Sequence, residues 1–268
     1  MSTRSGKIIV KNAEGKMPVL FVGHGSPMNA IEDNEFSRAW IRVARSLPRA
    51  RAILCISAHW ETDGTCVTAM EYPRTIHDFY GFPQTLYQKK YPASGAPDLA
   101  HFIQRVLDRV RVSADLDRGL DHGTWSVLCR MFPSADVPVV QLSLDRRKPP
   151  EFHYELAQGL KGLRAQGILI IGSGNMVHNL GRLSWDESAF DWALEFDERL
   201  RKLILSGDHS ALVHYMDIGP AAGLAVPTNE HYLPLLYALA LQDKDEAISF
   251  FAEKVTLGAI SMRSVRIG

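Results

Sequence analysis

Three stretches of this chain, Pro18–Gly23, Ala52–Ala58 and Gly167–Ile171, are apolar almost throughout and show no alternation of apolar and polar residues. A strand that wets one face alternates, so a continuous apolar run reads as a strand covered on both faces. Between the first two lies Glu32–Leu47, where Phe36, Trp40, Val43, Ala44 and Leu47 recur at helical spacing before Pro48 ends the pattern. A buried strand, an amphipathic helix and a second buried strand in that order predict a parallel sheet with helices packed on it. The expected fold class is therefore α/β, a single domain with a central, mostly parallel sheet covered by helices on both faces.

The rest of the chain extends this pattern. Strands are expected at Thr65–Met70 and Val137–Leu144, and helices at Ala96–Val110, Trp125–Phe132, Glu151–Ala165, Asp191–Ser206 and Thr228–Leu241, the last with Thr228 as its N-cap. One or two closing strands are expected in Ala247–Ile267. Glu71–Pro97 is instead rich in Tyr, Pro, Gly and His, which predicts a long loop of the kind that walls a pocket. Its Phe79, Tyr80 and Phe82 suit either a flat ring substrate or the cap of the core beneath. A polar leader, residues 1–16, lacks the apolar centre of a signal peptide, which leaves 17–268 as the folded domain.

Charge and cysteine content narrow the function classes. Lys+Arg and Asp+Glu number 30 each with no long run of either sign, so neither a nucleic-acid groove nor a membrane-surface patch is expected. No apolar stretch reaches the roughly 18 residues of a membrane span. Cys55, Cys66 and Cys129 are odd in number and lack CxxC spacing, so buried thiols in a reducing, cytoplasmic compartment are expected.

The chemistry lies with the histidines. His24, His59 and His178 each follow a buried apolar run, and parallel strands would bring all three to one edge of the sheet. His231 opens a helix able to cover that edge. A lone histidine is more often a surface or core residue than a ligand, but four at element boundaries change the balance. Imidazoles without thiolates and with a carboxylate nearby suit Fe(II) or Zn(II) better than Mg(II) or Ca(II). Other readings of these loops are weaker. Gly172-Ser-Gly-Asn175 has neither GxGxxG spacing nor the lysine of a P-loop, and no GxSxG elbow accompanies His24-Gly-Ser26, where Ser26 ties down the turn. His77, His101, His153, His209 and His214 are taken as structural or surface residues.

Five motifs together, Gly23-His-Gly-Ser-Pro27, Ser57-Ala-His-Trp60, Asp121-His-Gly-Thr-Trp125, Gly172-Ser-Gly-Asn-Met-Val-His178 and Asn229-Glu-His231, resemble the class III extradiol ring-cleavage dioxygenases, in their 4,5-DOPA dioxygenase branch. The resemblance runs from about Pro18 to the C-terminus. It implies a mononuclear non-haem iron site, with an open face for a catechol and O₂, that cleaves the ring beside the two hydroxyls. By the same resemblance His24, His59 and His231 are metal ligands, with Glu230 the rival of His231 or its partner. His178 is the acid/base residue or a fourth ligand, and His122 is a substrate-side hydrogen-bonding group or else caps the helix that begins near Thr124. A zinc-dependent hydrolase and a catalytically silent metal-binding protein on the same scaffold remain as alternatives. Nothing in the sequence specifies an oligomeric state.

Overall fold

The computed structural model describes residues 15–185 and 188–268, so residues 1–14 of the expected leader lie outside the described residues. In chain order the elements are β1 (Val19–Gly23), α1 (Glu35–Arg45), β2 (Ala52–Thr62), β3 (Thr65–Thr68), α2 (Gln84–Tyr87), α3 (Pro97–Val106), β4 (Val112–Asp115), α4 (His122–Met131), β5 (Val139–Asp145) and α5 (Pro150–Gln158). They continue with β6 (Ile168–Gly174), α6 (Asp191–Ser206), α7 (His209–Val213), α8 (Ala222–Ala225), α9 (Leu233–Ala240), β7 (Ile248–Phe251), β8 (Val255–Thr256), β9 (Ile260–Ser261) and β10 (Ser264–Ile267).

Eight strands form one sheet in the order β4-β3-β5-β2-β6-β1-β10-β7. Its centre, β5-β2-β6-β1, is parallel, and β10 and β7 extend it antiparallel on one side. On the other side β3 pairs antiparallel with β5 and parallel with β4. Along the central strands the side chains alternate between two cores, which is why their sequences carry no polar face. Val19, Phe21, Leu54, Ile56 and Ile170 face the layer that contains α3 and α5 to α9. Leu20, Val22, Ile53, Leu169 and Ile171 face α1, α2 and α4. Each such side chain contributes about 1.5 to 3 kcal/mol by leaving water, so the parallel centre is the most costly part of the fold to disturb. Among the described residues, no helix is long and apolar enough to cross a membrane.

Several boundaries differ from expectation, each for a local reason. Helix α1 starts only after Asn34, whose side chain accepts from Phe36 N and Ser37 N in a capping box with Ser37. Thr228 caps no helix. Asn229 O accepts from both Tyr232 N and Leu233 N in a tight turn, and α9 begins at Leu233 with Pro234 in its first turn, where proline's missing N–H costs nothing. Strand β6 runs on through Gly174, so Gly172-Ser-Gly174 is paired strand and not a phosphate-cradling loop. Strand β2 runs on to Thr62, but its register with β5 breaks between Ile56 and Glu61. His59 sits in that irregular stretch and not beyond the strand. The tail supplies β10, which pairs with β1, the edge strand β7 beside it and, between them in the chain, the small β8–β9 hairpin.

Candidate metal centre

Strands β1, β6 and β2 are parallel neighbours, so the residues that leave their carboxyl ends meet. His24 follows β1 directly, its amide donating to Gly174 O at 3.1 Å. His59 reaches the same edge from β2, and His24 Nε2 and His59 Nε2 stand 3.0 Å apart. His231 arrives from the opposite layer, in the turn before α9. Its backbone is pressed onto β6: Asn175 N donates to His231 O at 2.9 Å, and a Cβ on Gly174 would run into that carbonyl. Only glycine at 174 allows this approach. One ligand nitrogen from each of His24, His59 and His231 falls in a group no more than 4.8 Å across.

The groups behind the rings orient them. Ser173 Oγ donates to Gly123 O at 2.6 Å, so at 3.0 Å from His24 Nδ1 it acts as the acceptor and leaves His24 Nε2 with a lone pair. His231 Nδ1 donates to Glu230 Oε1 at 3.1 Å, which leaves His231 Nε2 buried without a hydrogen-bond partner. Lone pairs converging from rings backed by hydroxyl and carboxylate acceptors are what a bound cation requires of histidine. The donor set is three imidazoles with no thiolate among them, which fits a borderline divalent metal such as Fe(II) or Zn(II). Burial holds the imidazolium forms of His24 and His231 well below the usual range, and the neighbouring imidazoles add to it. Burial and then the nearby His122 bring His59 down to about 3. All three are neutral at pH 7, the form that binds metal.

His178 and His122 flank this group from two sides. The His178 ring stacks on His231, with centroids 3.4 Å and planes 8° apart, and a bridge between His178 and Ile260 fixes its backbone to the tail hairpin. Burial lowers His178 to about 4, against the pull of Glu230. A second possible ligand group joins His178, Glu230 and His231, which puts Glu230 behind His231 rather than among the other two histidines. The His122 ring lies 3.9 Å from that of His59, between centroids. His122 is the first residue of α4 and not its cap. Asp121 caps the helix instead, its carboxylate accepting from Thr124 N at 3.1 Å, as a charged acceptor does better than an imidazole. The same buried carboxylate takes Ser57 Oγ and Gln141 Nε2, each at 2.7 Å, and so ties β2, β5 and α4 together beneath the site. A Cβ on Gly123 would sit 2.9 Å from the His59 ring, so glycine here lets α4 close on the site.

Three functional neighbours had no role in the sequence reading. Ser173 sits in a motif chosen for its histidine, and Asp121 supplies the helix cap that stood as the alternative role of His122. Asp78 lies in the aromatic loop, where its Oδ1 accepts from His122 Nδ1 at 3.0 Å and its Oδ2 stands 4.0 Å from His59 Nδ1. Burial pushes the Asp78 carboxyl up, but the bonds and charge of His122 outweigh it and hold Asp78 at about 2. An acidic residue between His77 and Phe79 was the only signal available. Of the loop aromatics, Phe79 stands edge-on to His122 at 5.6 Å and packs on Phe82 and Trp125, whereas Tyr80 is 92% exposed. Phe79 thus serves both as site wall and as core cap, and Phe82 caps the core beside it. Beside Glu230 opens a cavity of about 620 Å³ lined by Glu61, Tyr215, Met216, Val226 and Thr228 among others.

The remaining histidines stand apart from this cluster. His153 bonds Tyr237 OH at 3.0 Å, His77 bonds Lys89 O at 2.9 Å, His101 bonds Gln104 at 3.1 Å, His209 bonds Tyr154 OH at 2.8 Å, and His214 pairs with Glu151 at 3.3 Å. Cys55 and Cys129 are buried, and burial pushes their thiols up to about 12 and about 11, while Cys66 is only half-buried.

Comparison with known proteins places the chain among relatives. A family model described as the catalytic LigB subunit of aromatic ring-opening dioxygenase matches residues 18–265. A protein of Escherichia coli K12 named 4,5-DOPA dioxygenase extradiol is 48% identical over 259 residues, 94% of this chain and 95% of that protein. A protein of the same name from Beta vulgaris is 41% identical, covering 82% of this chain and 84% of its own length. The crystal structure of an uncharacterized Escherichia coli K12 protein superposes with a TM-score of 0.84 at 42% identity, covering 94% of this chain and 100% of that one.

Proposed function

This chain belongs to the family of catalytic LigB subunits of aromatic ring-opening dioxygenases and is an extradiol dioxygenase, and from that premise we propose that it opens a catechol such as DOPA by 4,5-cleavage, inserting both atoms of O₂ at a mononuclear Fe(II). His24, His59 and His231 are the proposed ligands. The observation that carries the assignment is the convergence of these three neutral imidazoles around the buried, unpartnered His231 Nε2. The choice of DOPA rests on the names of the curated relatives. The zinc hydrolase and the catalytically silent binder are not favoured once the family is known.

Bound iron supplies a redox-active centre through which a catechol's electron density reaches O₂. What the chain does follows from its own groups. Ser173 and Glu230 hold the His24 and His231 rings in one tautomer each, so no reorientation is needed when a ligand arrives. His178, beside His231, and His122, beside His59, are the groups positioned to take a hydroxyl proton from the catechol and return one later. Phe79 gives the site an apolar wall beside His122 and limits water there. A cytoplasmic location, with all three cysteines kept as thiols, belongs to the same proposal.

The test is direct. Protein reconstituted anaerobically with Fe(II) should consume O₂ with a catechol and release a yellow ring-opened product, and metal analysis should return one ion per chain. A panel of catechols, DOPA among them, that gives no O₂ uptake would overturn the proposal.

A further inference from the structure

The long loop between β3 and α3 does more than wall the site. It is stitched to the chain just ahead of His122: Thr75 bridges Leu120, Ile76 N donates to Leu120 O at 2.8 Å, Leu120 N donates to Arg74 O at 2.7 Å, and Trp125 Nε1 donates to Ile76 O at 2.7 Å. Two residues past Ile76 the loop presents Asp78, whose side chain is only 22% exposed. Asp78 Oδ1 accepts twice from the same residue, from the His122 backbone N at 2.9 Å and from its ring Nδ1 at 3.0 Å. A carboxylate oxygen can only accept, so Nδ1 carries a proton, and in the ring's neutral form that proton is its only one. His122 Nε2 is then left with its lone pair, and among the described residues no hydrogen bond occupies it.

We propose that Asp78 is a positioning residue for the ring-cleavage reaction: clamping the backbone and Nδ1 of His122 together, it fixes the ring in the Nδ1–H tautomer and presents Nε2 to the catechol as a hydrogen-bond acceptor. The clamp is rigid at both ends. His122 N belongs to the first turn of α4, where the amide has no intrahelical partner and is free to donate outward. Asp78 is held by the loop's bonds to Leu120 and Trp125, and the neighbouring Phe79 ring closes edge-on against His122 at 5.6 Å. A loop that merely covered the core would satisfy its aromatics without delivering a carboxylate to this one ring. The proposal rests on His122 facing substrate in the dioxygenase assignment above, so its test includes a readout independent of turnover.

That readout is the tautomer of His122, read from the ring nitrogen shifts of ¹⁵N-histidine-labelled full-length protein loaded with diamagnetic Zn(II). Wild type should show a protonated Nδ1 and a bare Nε2. Asp78→Ala should move the ring toward the Nε2–H form or a mixture, whereas Asp78→Asn, whose amide oxygen can still accept both bonds, should keep it. With Fe(II) and a catechol, Asp78→Ala should lower kcat on the order of 100-fold with KM changed less than about threefold, and Asp78→Asn should recover most of that loss. In a His122→Ala background Asp78→Ala should cost nothing further. An unchanged tautomer in Asp78→Ala, a loss that multiplies with His122→Ala, or loss of the metal from Asp78→Ala would overturn the proposal, the last by making Asp78 a ligand. If wild type turns over no catechol, the substrate assignment fails, and the tautomer comparison alone decides the role of Asp78.

Discussion

Two buried histidines packed against one helix are alike in their burial and in an orphaned Nε2, and differ in company. His231 precedes α9 and His153 touches its middle, bonding Tyr237 OH from α5. Both are buried, both are held below the usual histidine range by that burial, and both have an Nε2 with no hydrogen-bond partner. Around His153 lie an aliphatic layer, one phenol, and the Asp145 carboxylate with the backbone of Asp145 and Lys148, but, among the described residues, no second imidazole aimed at it. Around His231 the rings of His24, His59 and His178 lie 5.3, 4.9 and 3.4 Å away. An orphaned imidazole nitrogen therefore marks a metal site only where other lone pairs aim at the same point; alone in a core it marks a structural hydrogen bond made from the other nitrogen.

Substitutions at the two positions should separate them most sharply. His231→Ala, and equally His24→Ala or His59→Ala, should drop the metal content below about a tenth of an ion per chain and abolish turnover, because two imidazoles rarely retain the ion. His153→Ala should keep a full metal complement. Equal metal loss from both kinds of variant, measured by elemental analysis of the purified proteins, would erase the distinction. Next in size, His178→Ala should retain the metal and lose about 100-fold or more in kcat, as expected of a group that handles a proton and not the ion. Metal loss from that variant would move His178 into the ligand set.

This contrast was half visible in the sequence. Strand ends in a parallel sheet are predictable from apolar runs, so the meeting of His24, His59 and His178 at one edge could be anticipated before any coordinates. His153 lies outside the five motifs and reads as a structural or surface residue. What could not be read was everything contributed across the chain by short or irregular segments. Strand β4 has two exposed residues in four, too few apolar positions to signal a strand. The hairpin that bridges to His178 is built of two-residue strands. Asp78 meets His122 across 44 residues of chain, through a loop whose course is set by its own backbone bonds. The capping alternative for His122 falls away because the aspartate one residue earlier is the better acceptor.

Acidification should blur the comparison in metal-free protein and restore it when metal is added. His153 and His178 titrate near 4 and His59 near 3 in the fold, all below the unfolded value of about 6.5. Between those limits the unfolded chain binds more protons than the native one, so stability rises with pH there. It is complete above about pH 6.5 and is lost progressively as pH falls through the folded values. The melting temperature of the metal-free protein should therefore drop steadily from pH 7 to pH 5. Metal occupies only the neutral rings of the cluster, so at pH 7 it should raise the melting temperature, and this gain should shrink with acid as protons displace the ion. A metal-induced gain that stays constant from pH 7 to pH 5 would argue against the histidine ligands.

The smallest effect tests the structural partner of the pair. Tyr237→Phe removes the phenol oxygen that bonds His153 Nδ1 and leaves the ring packing of α9 in place. Deleting one neutral hydrogen bond in a buried layer should cost about 1 kcal/mol, since the imidazole left behind loses its partner as well. Denaturant melts should register that loss, while metal content and kcat stay at wild-type values, because His153 shares no bond with the cluster at the sheet edge. A Tyr237→Phe protein that folds normally but binds metal weakly would mean that α9 transmits strain from its middle to His231. The two histidines would then be coupled through the helix, and their likeness would reflect more than shared burial.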